Sequence, residues 1–149
     1  MITLEDTFVD LARQANAPAV VLCDRGACDV SAYLPPEAWQ ALLDEQGWST
    51  IDLRDRRYDA VIHLASAAVG AEGFYTLENN AARSESLEEA RGLDARLRDA
   101  WIGHPHLRVI DNSTDFEGKI RRVVAAVCRA SRPRASSSDS DRAALFSRV

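Results

Sequence analysis

Asp24-Arg25-Gly26 follows directly on the apolar run Val20-Val21-Leu22-Cys23. A carboxylate at the carboxyl end of a buried strand sits where a hard cation such as Mg²⁺ finds oxygen ligands beside a phosphate. Asp24 is therefore the candidate metal ligand. Arg25 stands next to it. The plain alternative is a strand that ends in a polar turn, since Asp-Arg-Gly is good turn material.

A second group is the set of arginines over 83–98, beside Glu78-Asn79-Asn80. Arg83, Arg91, Arg96 and Arg98 on one segment could close over phosphates. Glu85, Glu88, Glu89, Asp94 and Asp99 interleave with them at pairing distance, so on spacing alone a solvated amphipathic helix is the stronger reading. His104-Pro105-His106 with His63 lacks the Cys or Glu company of a metal site and reads better as a polar loop entering a strand. Asn112-Ser113-Thr114 reads as a strand-to-helix turn, a position that can lie beside a purine base. There is no Gly-x-Ser-x-Gly elbow. Nothing except Arg25 stands near Cys23 or Cys28 to lower a thiol pKa.

The elements that must position these residues follow from periodicity. Leu4, Phe8, Leu11 and Ala15 form one helical stripe over 3–15, with Thr3 as the expected cap. The runs at 19–23 and 60–64 are continuously apolar, which predicts strands buried on both faces, as in a parallel sheet. A helix is expected over 36–46, opened by Pro35-Pro36 and stopped by Gly47. Another is expected over 86–101, then a strand at 107–110. A last helix follows, with a Thr114…Glu117 capping box and an apolar stripe of Phe116, Ile120, Val123, Val124 and Val127. Helices and buried strands alternate, so the fold class is α/β: a parallel sheet with flanking helices. Residues 1–130 form the domain. Residues 131–149, rich in Ser and Arg, read as a disordered tail.

Length and composition set the outer bounds. The chain has 149 residues and a net charge of −5. Residues 129–149 hold five Arg against two Asp, leaving −8 on residues 1–128 (13 basic, 21 acidic). A body that acidic argues against a nucleic-acid partner. No apolar run approaches the ~18–20 residues of a membrane span. Three cysteines without metal spacing predict reduced thiols in a cytoplasmic protein.

Four stretches carry a resemblance: CDRGACDVSAYLP, RRYDAVIHLASAA, GAEGFYTLENNAARSE and GHPHLRVIDNSTDFEGKIRR. Together they resemble the AAA-type ATP/GTP-binding domain of the TRPL translocation defect protein and its bacterial relatives, itself distantly similar to nicotinamide-riboside kinase domains. The resemblance implies a kinase-like P-loop NTPase fold, ATP or GTP as ligand, Mg²⁺ as cofactor, and hydrolysis or phosphoryl transfer. It gives Asp24 the magnesium role and makes Arg25 a candidate for stabilising a transfer step. It places Arg83, then Arg91, Arg96 and Arg98, in a lid over the phosphates, and Asn112 and Ser113 near the base.

The departure matters as much. A Gly-x-x-x-x-Gly-Lys-Ser/Thr loop opens this family, whereas here no glycine precedes Gly26 and the single lysine, Lys119, lies in the last helix. On this reading the sheet is N-terminally incomplete. Its central P-loop strand, between the strand of Asp24 and the strand at 60–64, is missing. Two unpaired strand edges predict self-association, direct pairing of those strands, or a strand borrowed from a partner. The remaining alternatives are a non-catalytic truncated chain acting through a partner and a small-molecule, nucleoside-like kinase.

Overall fold

The computed structural model describes residues 1–15, 17–74, 86–132 and 144–148, the last five by their backbone. In chain order the elements are α1 (Ile2–Gln14), β1 (Val20–Asp24), a 3₁₀ helix (Ala27–Ala32), α2 (Pro36–Gln46), a π-helical turn (Asp52–Arg56), β2 (Ala60–Leu64), a short 3₁₀ turn (Glu72–Phe74), α3 (Leu87–Ala100), β3 (Leu107–Ile110), α4 (Phe116–Ala130) and β4 (Ala144–Arg148). Helix and strand positions agree with periodicity, and two helix starts differ in detail: α1 begins at Ile2 with Met1 as its N-cap, so Thr3 lies inside the helix and caps nothing. Asp115 rather than Thr114 caps α4, its carboxylate accepting the Gly118 N–H at 2.8 Å. A Cβ at Gly118 would lie 2.9 Å from that carboxylate oxygen and from the Thr114 Cβ, so glycine lets the cap close. Helix α3 carries a full capping box, Ser86 with Glu89.

All strand pairs are parallel, and the order is β1-β4-β2-β3. The place between β1 and β2 is therefore filled by the chain's own residues 144–148. Val20 to Asp24 pair with Ala144 to Arg148, and Ala60 to Ile62 pair with Phe146 to Arg148. This corrects two expectations: the central edges are paired, and part of the segment expected to be a disordered tail is a strand. The reason is local. Ala144-Leu145-Phe146 is the one apolar stretch after Ala130, and a gap flanked by two sets of unpaired backbone groups rewards any segment able to pair with both.

The main core lies on one face of the sheet, where Val61, Leu53, Tyr58, Leu43, Cys28 and Trp101 are buried together. The other face has a smaller core, where α4 sets Val123, Ala126 and Val127 on Ile62 and Ile110. β2 is buried from Ala60 to His63, as its composition predicts, with Leu64 partly buried, but β1 alternates, with Val20 and Leu22 exposed. The α1 stripe is a clear miss: Leu4, Phe8 and Leu11 are 61%, 52% and 55% exposed. Ile2 and Val9 pack inward instead, and Glu5 is buried at 6%. The cause is an ion-pair network. Arg57 Nε donates to Glu5 Oε2 at 2.7 Å, Arg57 Nη2 donates to Asp6, and the Tyr58 hydroxyl donates to Glu5, which turns the polar side of α1 toward the body.

His104 lies in the loop entering β3, as expected, but its ring is buried beside this core. Its Nδ1 accepts the His106 N–H at 3.0 Å, which leaves Nε2–H to donate to the Tyr58 carbonyl at 2.9 Å, so the ring is the neutral Nε2–H tautomer. Burial, the largest influence, lowers its pKa below the ordinary 6.5. A depressed folded pKa means that the unfolded chain takes up the proton first. Stability is therefore full above pH 6.5 and falls as pH drops below it. Urea midpoints measured at pH 7.5 and 5.5 should show this loss, and His104→Gln should flatten it.

Candidate functional site

The carboxyl ends of parallel strands are where ligand chemistry gathers in an open α/β sheet. Here that edge carries Asp24 after β1, the loop 65–70 after β2 and Asp111-Asn112-Ser113 after β3. Asp24 and Arg25 are both exposed there. Arg25 has φ 73°, the one non-glycine residue in the left-handed region among those described. That region costs a side-chain-bearing residue roughly 1–2 kcal/mol. Arg25→Gly should therefore be more stable than Arg25→Ala by about 1 kcal/mol, which is about 2–4 °C in melting temperature for a chain of this size. Equal stability of the two variants would show that the turn carries no strain.

The amides after Arg25 have protein partners. Gly26 N–H donates to Asp29 Oδ2 at 2.8 Å and Ala27 N–H donates to the Tyr58 hydroxyl at 2.7 Å. Asp29 is 3% exposed and also accepts the Trp101 indole N–H. Burial raises its pKa, and the bonds from Gly26 and Trp101 oppose that rise. The turn holding Asp24 and Arg25 is thus fixed from below by side chains of three other segments.

The loop 65–70 is held from both sides. Asp94 Oδ1 accepts the Ser66 N–H at 2.7 Å. Asn112 Nδ2 donates to the Ser66 and Val69 carbonyls, each at 2.7 Å, and Lys119 Nζ donates to the Ala65 carbonyl and to Asn112 Oδ1, each at 2.6 Å. The single lysine therefore braces this loop. Ser113 turns to Asp111, whose carboxyl is held down near pH 2 by Ser113 and Arg122. His63 lies under the same loop, 1% exposed, with Nε2 3.4 Å from Asp94 Oδ1 and, among the described residues, no closer hydrogen-bond partner for either ring nitrogen.

The arginines fan apart. Arg91 Nε donates to the Ala68 carbonyl and its Nη2 pairs with Glu72 at 2.6 Å. Arg96 donates to the Ala32 carbonyl, and Arg98 pairs with its neighbour Asp99. Arg83 lies outside the described residues. Arg91, half-exposed above the 65–70 loop, is the one of the three that sits at the strand-end edge. Burial pushes the Cys28 and Cys23 thiols up to about 12 and 11, so neither is an activated nucleophile. The histidines do not converge on a metal: among the described residues no group of three or more His, Cys, Asp or Glu could hold one. Sequence reasoning missed Asp29, Asp94 and the Glu5–Arg57–Tyr58 network. The one local signal was Asp29, three residues after Gly26, the spacing of a capping box.

A small parallel sheet with flanking helices and polar residues at its carboxyl edge makes this an α/β domain. The chain belongs to the AAA domain family, a P-loop NTPase-like family whose model matches residues 2–119. Neither a search of curated proteins nor a search of solved structures gives a match. No helix among the described residues is long and apolar enough to cross a membrane.

Proposed function

We propose that this chain binds a nucleoside triphosphate, ATP or GTP, at the carboxyl edge of its sheet, with Asp24 toward the metal and Arg25 toward the phosphates. The observation that carries this reading is an exposed Asp-Arg pair, held in a fixed turn at the end of a parallel strand, in a chain of the AAA family. Mg²⁺ fits Asp24 in the way it is commonly held, by one carboxylate together with waters and substrate phosphates rather than by an all-protein cage. When bound it neutralises charge on the phosphates. Catalysis of hydrolysis or phosphoryl transfer would come from position and charge, with Arg25 and Arg91, the arginines at that edge, as the stabilising cations. Asn112 and Ser113 would frame the base.

A second reading, a non-catalytic chain that works through a partner, draws support from one observation: β4 fills the central place of the sheet. Nucleotide-dependent melting separates the two. Ligand at 100 times its dissociation constant adds about 2.7 kcal/mol, or about 5–10 °C here. ATP or GTP with Mg²⁺ should give a shift that Asp24→Ala abolishes. No shift with ATP, GTP or ADP overturns the nucleotide reading.

A further inference from the structure

His63 is a buried ionisable group that the proposed nucleotide site does not use. Alternation along β2 sets it on the side of Val61, opposite Ile62 and α4. There Asp94 of α3 brings Oδ1 to 3.4 Å from Nε2, longer than the about 2.7–3.2 Å of a formed N–H···O bond. The same Asp94 oxygen accepts the Ser66 N–H at 2.7 Å. One carboxylate oxygen therefore faces two donors, with a short bond to one and a long approach to the other. Burial opposes the charge on Asp94, but His63, the Ser66 N–H and Arg98 more than offset it. Its pKa lies below the ordinary 3.8, so it is ionised at neutral pH. The other carboxylate that acts on His63 is Asp29 of the 3₁₀ helix, itself near Arg25. Each Asp29 oxygen already has a donor, Gly26 N–H on Oδ2 and the Trp101 indole on Oδ1.

We propose that His63 and Asp94 form a proton-controlled latch on the loop 65–70: a proton on His63 draws Asp94 away from the Ser66 N–H and releases that part of the loop. With a neutral ring the backbone amide keeps the carboxylate, as the two distances show. A protonated ring is a donor at both nitrogens, and its bond to a carboxylate joins opposite charges in a buried place, which outweighs the bond from a neutral amide. The remaining ties of the loop do not involve Asp94. Asn112 holds the Ser66 and Val69 carbonyls and Lys119 the Ala65 carbonyl, so the latch opens at one amide while the loop stays attached. Ser66 Oγ accepts the Ala68 N–H at 3.3 Å, and the Ala68 carbonyl in turn holds Arg91 Nε. The position of Ser66 thereby passes to the one α3 guanidinium at the strand-end edge. An effect on nucleotide affinity would rest on the nucleotide reading, but the latch itself does not.

The test is amide hydrogen exchange, read by NMR on the full chain without nucleotide, so it stands or falls apart from the nucleotide reading. Exchange is compared at about pH 7.5 and about pH 5.5, a span in which imidazoles commonly take up a proton, with rates corrected for their intrinsic pH dependence. The internal reference is Ala65, next in the chain, whose N–H donates to the Ile110 carbonyl at 3.0 Å. On acidification Ser66 should lose about tenfold more protection than Ala65, the worth of 1.4 kcal/mol. Asp94→Asn keeps an acceptor oxygen for Ser66 but not the charge, and should remove that difference between the two pH values. His63→Gln, which takes up no proton, should remove it as well. Equal changes at Ser66 and Ala65 in the unaltered chain overturn the proposal, since protonation of His104 would loosen both together. A Ser66 loss that persists in Asp94→Asn overturns it too.

Discussion

Removal of residues 144–149 should abolish cooperative unfolding. β4 lies between β1 and β2 and is paired along both of its sides. Without it, among the described residues, β1 loses its one partner strand and β2 keeps β3 alone. Each buried backbone group left unpaired costs roughly 1–3 kcal/mol, and the edges flanking the slot expose several. Four such groups approach the whole stability of a domain, about 5–15 kcal/mol. A urea titration followed by circular dichroism should show no sharp transition for the shortened chain, and light scattering should show association through the open edges. A milder change tests the same point: Ser147→Pro removes one N–H from a central strand, where proline is scarcely tolerated, and should cost a few kcal/mol. A shortened chain that unfolds sharply, within about 1 kcal/mol of the full one, would mean that β1 and β2 close directly on each other.

The strand in that slot shows where the sequence was legible and where it was not. Periodicity located four helices and three strands because each contains enough apolar residues at one spacing to be read locally. β4 has five residues and follows a polar Ser- and Arg-rich stretch, so nothing local marks it. Its structure depends on a vacancy created by strands more than 80 residues earlier. The orientation of α1 failed for a similar reason. Leu4, Phe8 and Leu11 make a convincing stripe, but the choice of buried face was made by Arg57 and Tyr58, more than 50 residues away, through Glu5. The place of Asp24 and Arg25 at the end of β1 was legible because a charged pair ending an apolar run is a local pattern. Asn112 was noticed as a turn residue, but its use as a clamp on the Ser66 and Val69 carbonyls is a tertiary fact. The arginines of α3 were legible as a cluster in sequence, yet a helix points residues at 91, 96 and 98 in different directions. Here they reach three different partners.

Loss of the Arg57 side chain should be the most destabilising single substitution outside the hydrophobic core. Arg57 and Glu5 are 16% and 7% exposed at their side chains, 2.7 Å apart, and Arg57 also bonds the Ile2 carbonyl and Asp6. Burial opposes the Arg57 charge, and the bonds to Glu5 and Asp6 more than offset it, holding the guanidinium pKa above its ordinary value. Arg57→Ala leaves a buried carboxylate with the Tyr58 hydroxyl as its remaining donor and should cost about 3–5 kcal/mol. That is a fall of about 6–20 °C in melting temperature for a chain of this length. The arithmetic differs for the pair. With Glu5→Leu and Arg57→Leu combined, neither charge is stranded, and the loss should be much smaller than the sum of the single changes. Tyr58→Phe tests the inner end of the network, where the hydroxyl accepts the Ala27 N–H three residues after Asp24. It should cost about 1–3 kcal/mol and loosen the turn that carries Asp24 and Arg25, so it should also weaken whatever ligand that turn binds. A double-mutant coupling between Glu5 and Arg57 below about 0.5 kcal/mol, the level expected of independent sites, would show that apolar packing of Ile2 and Val9 sets the face of α1 instead. The exposure of Leu4, Phe8 and Leu11 would then follow from packing alone and would persist in the Arg57 variant.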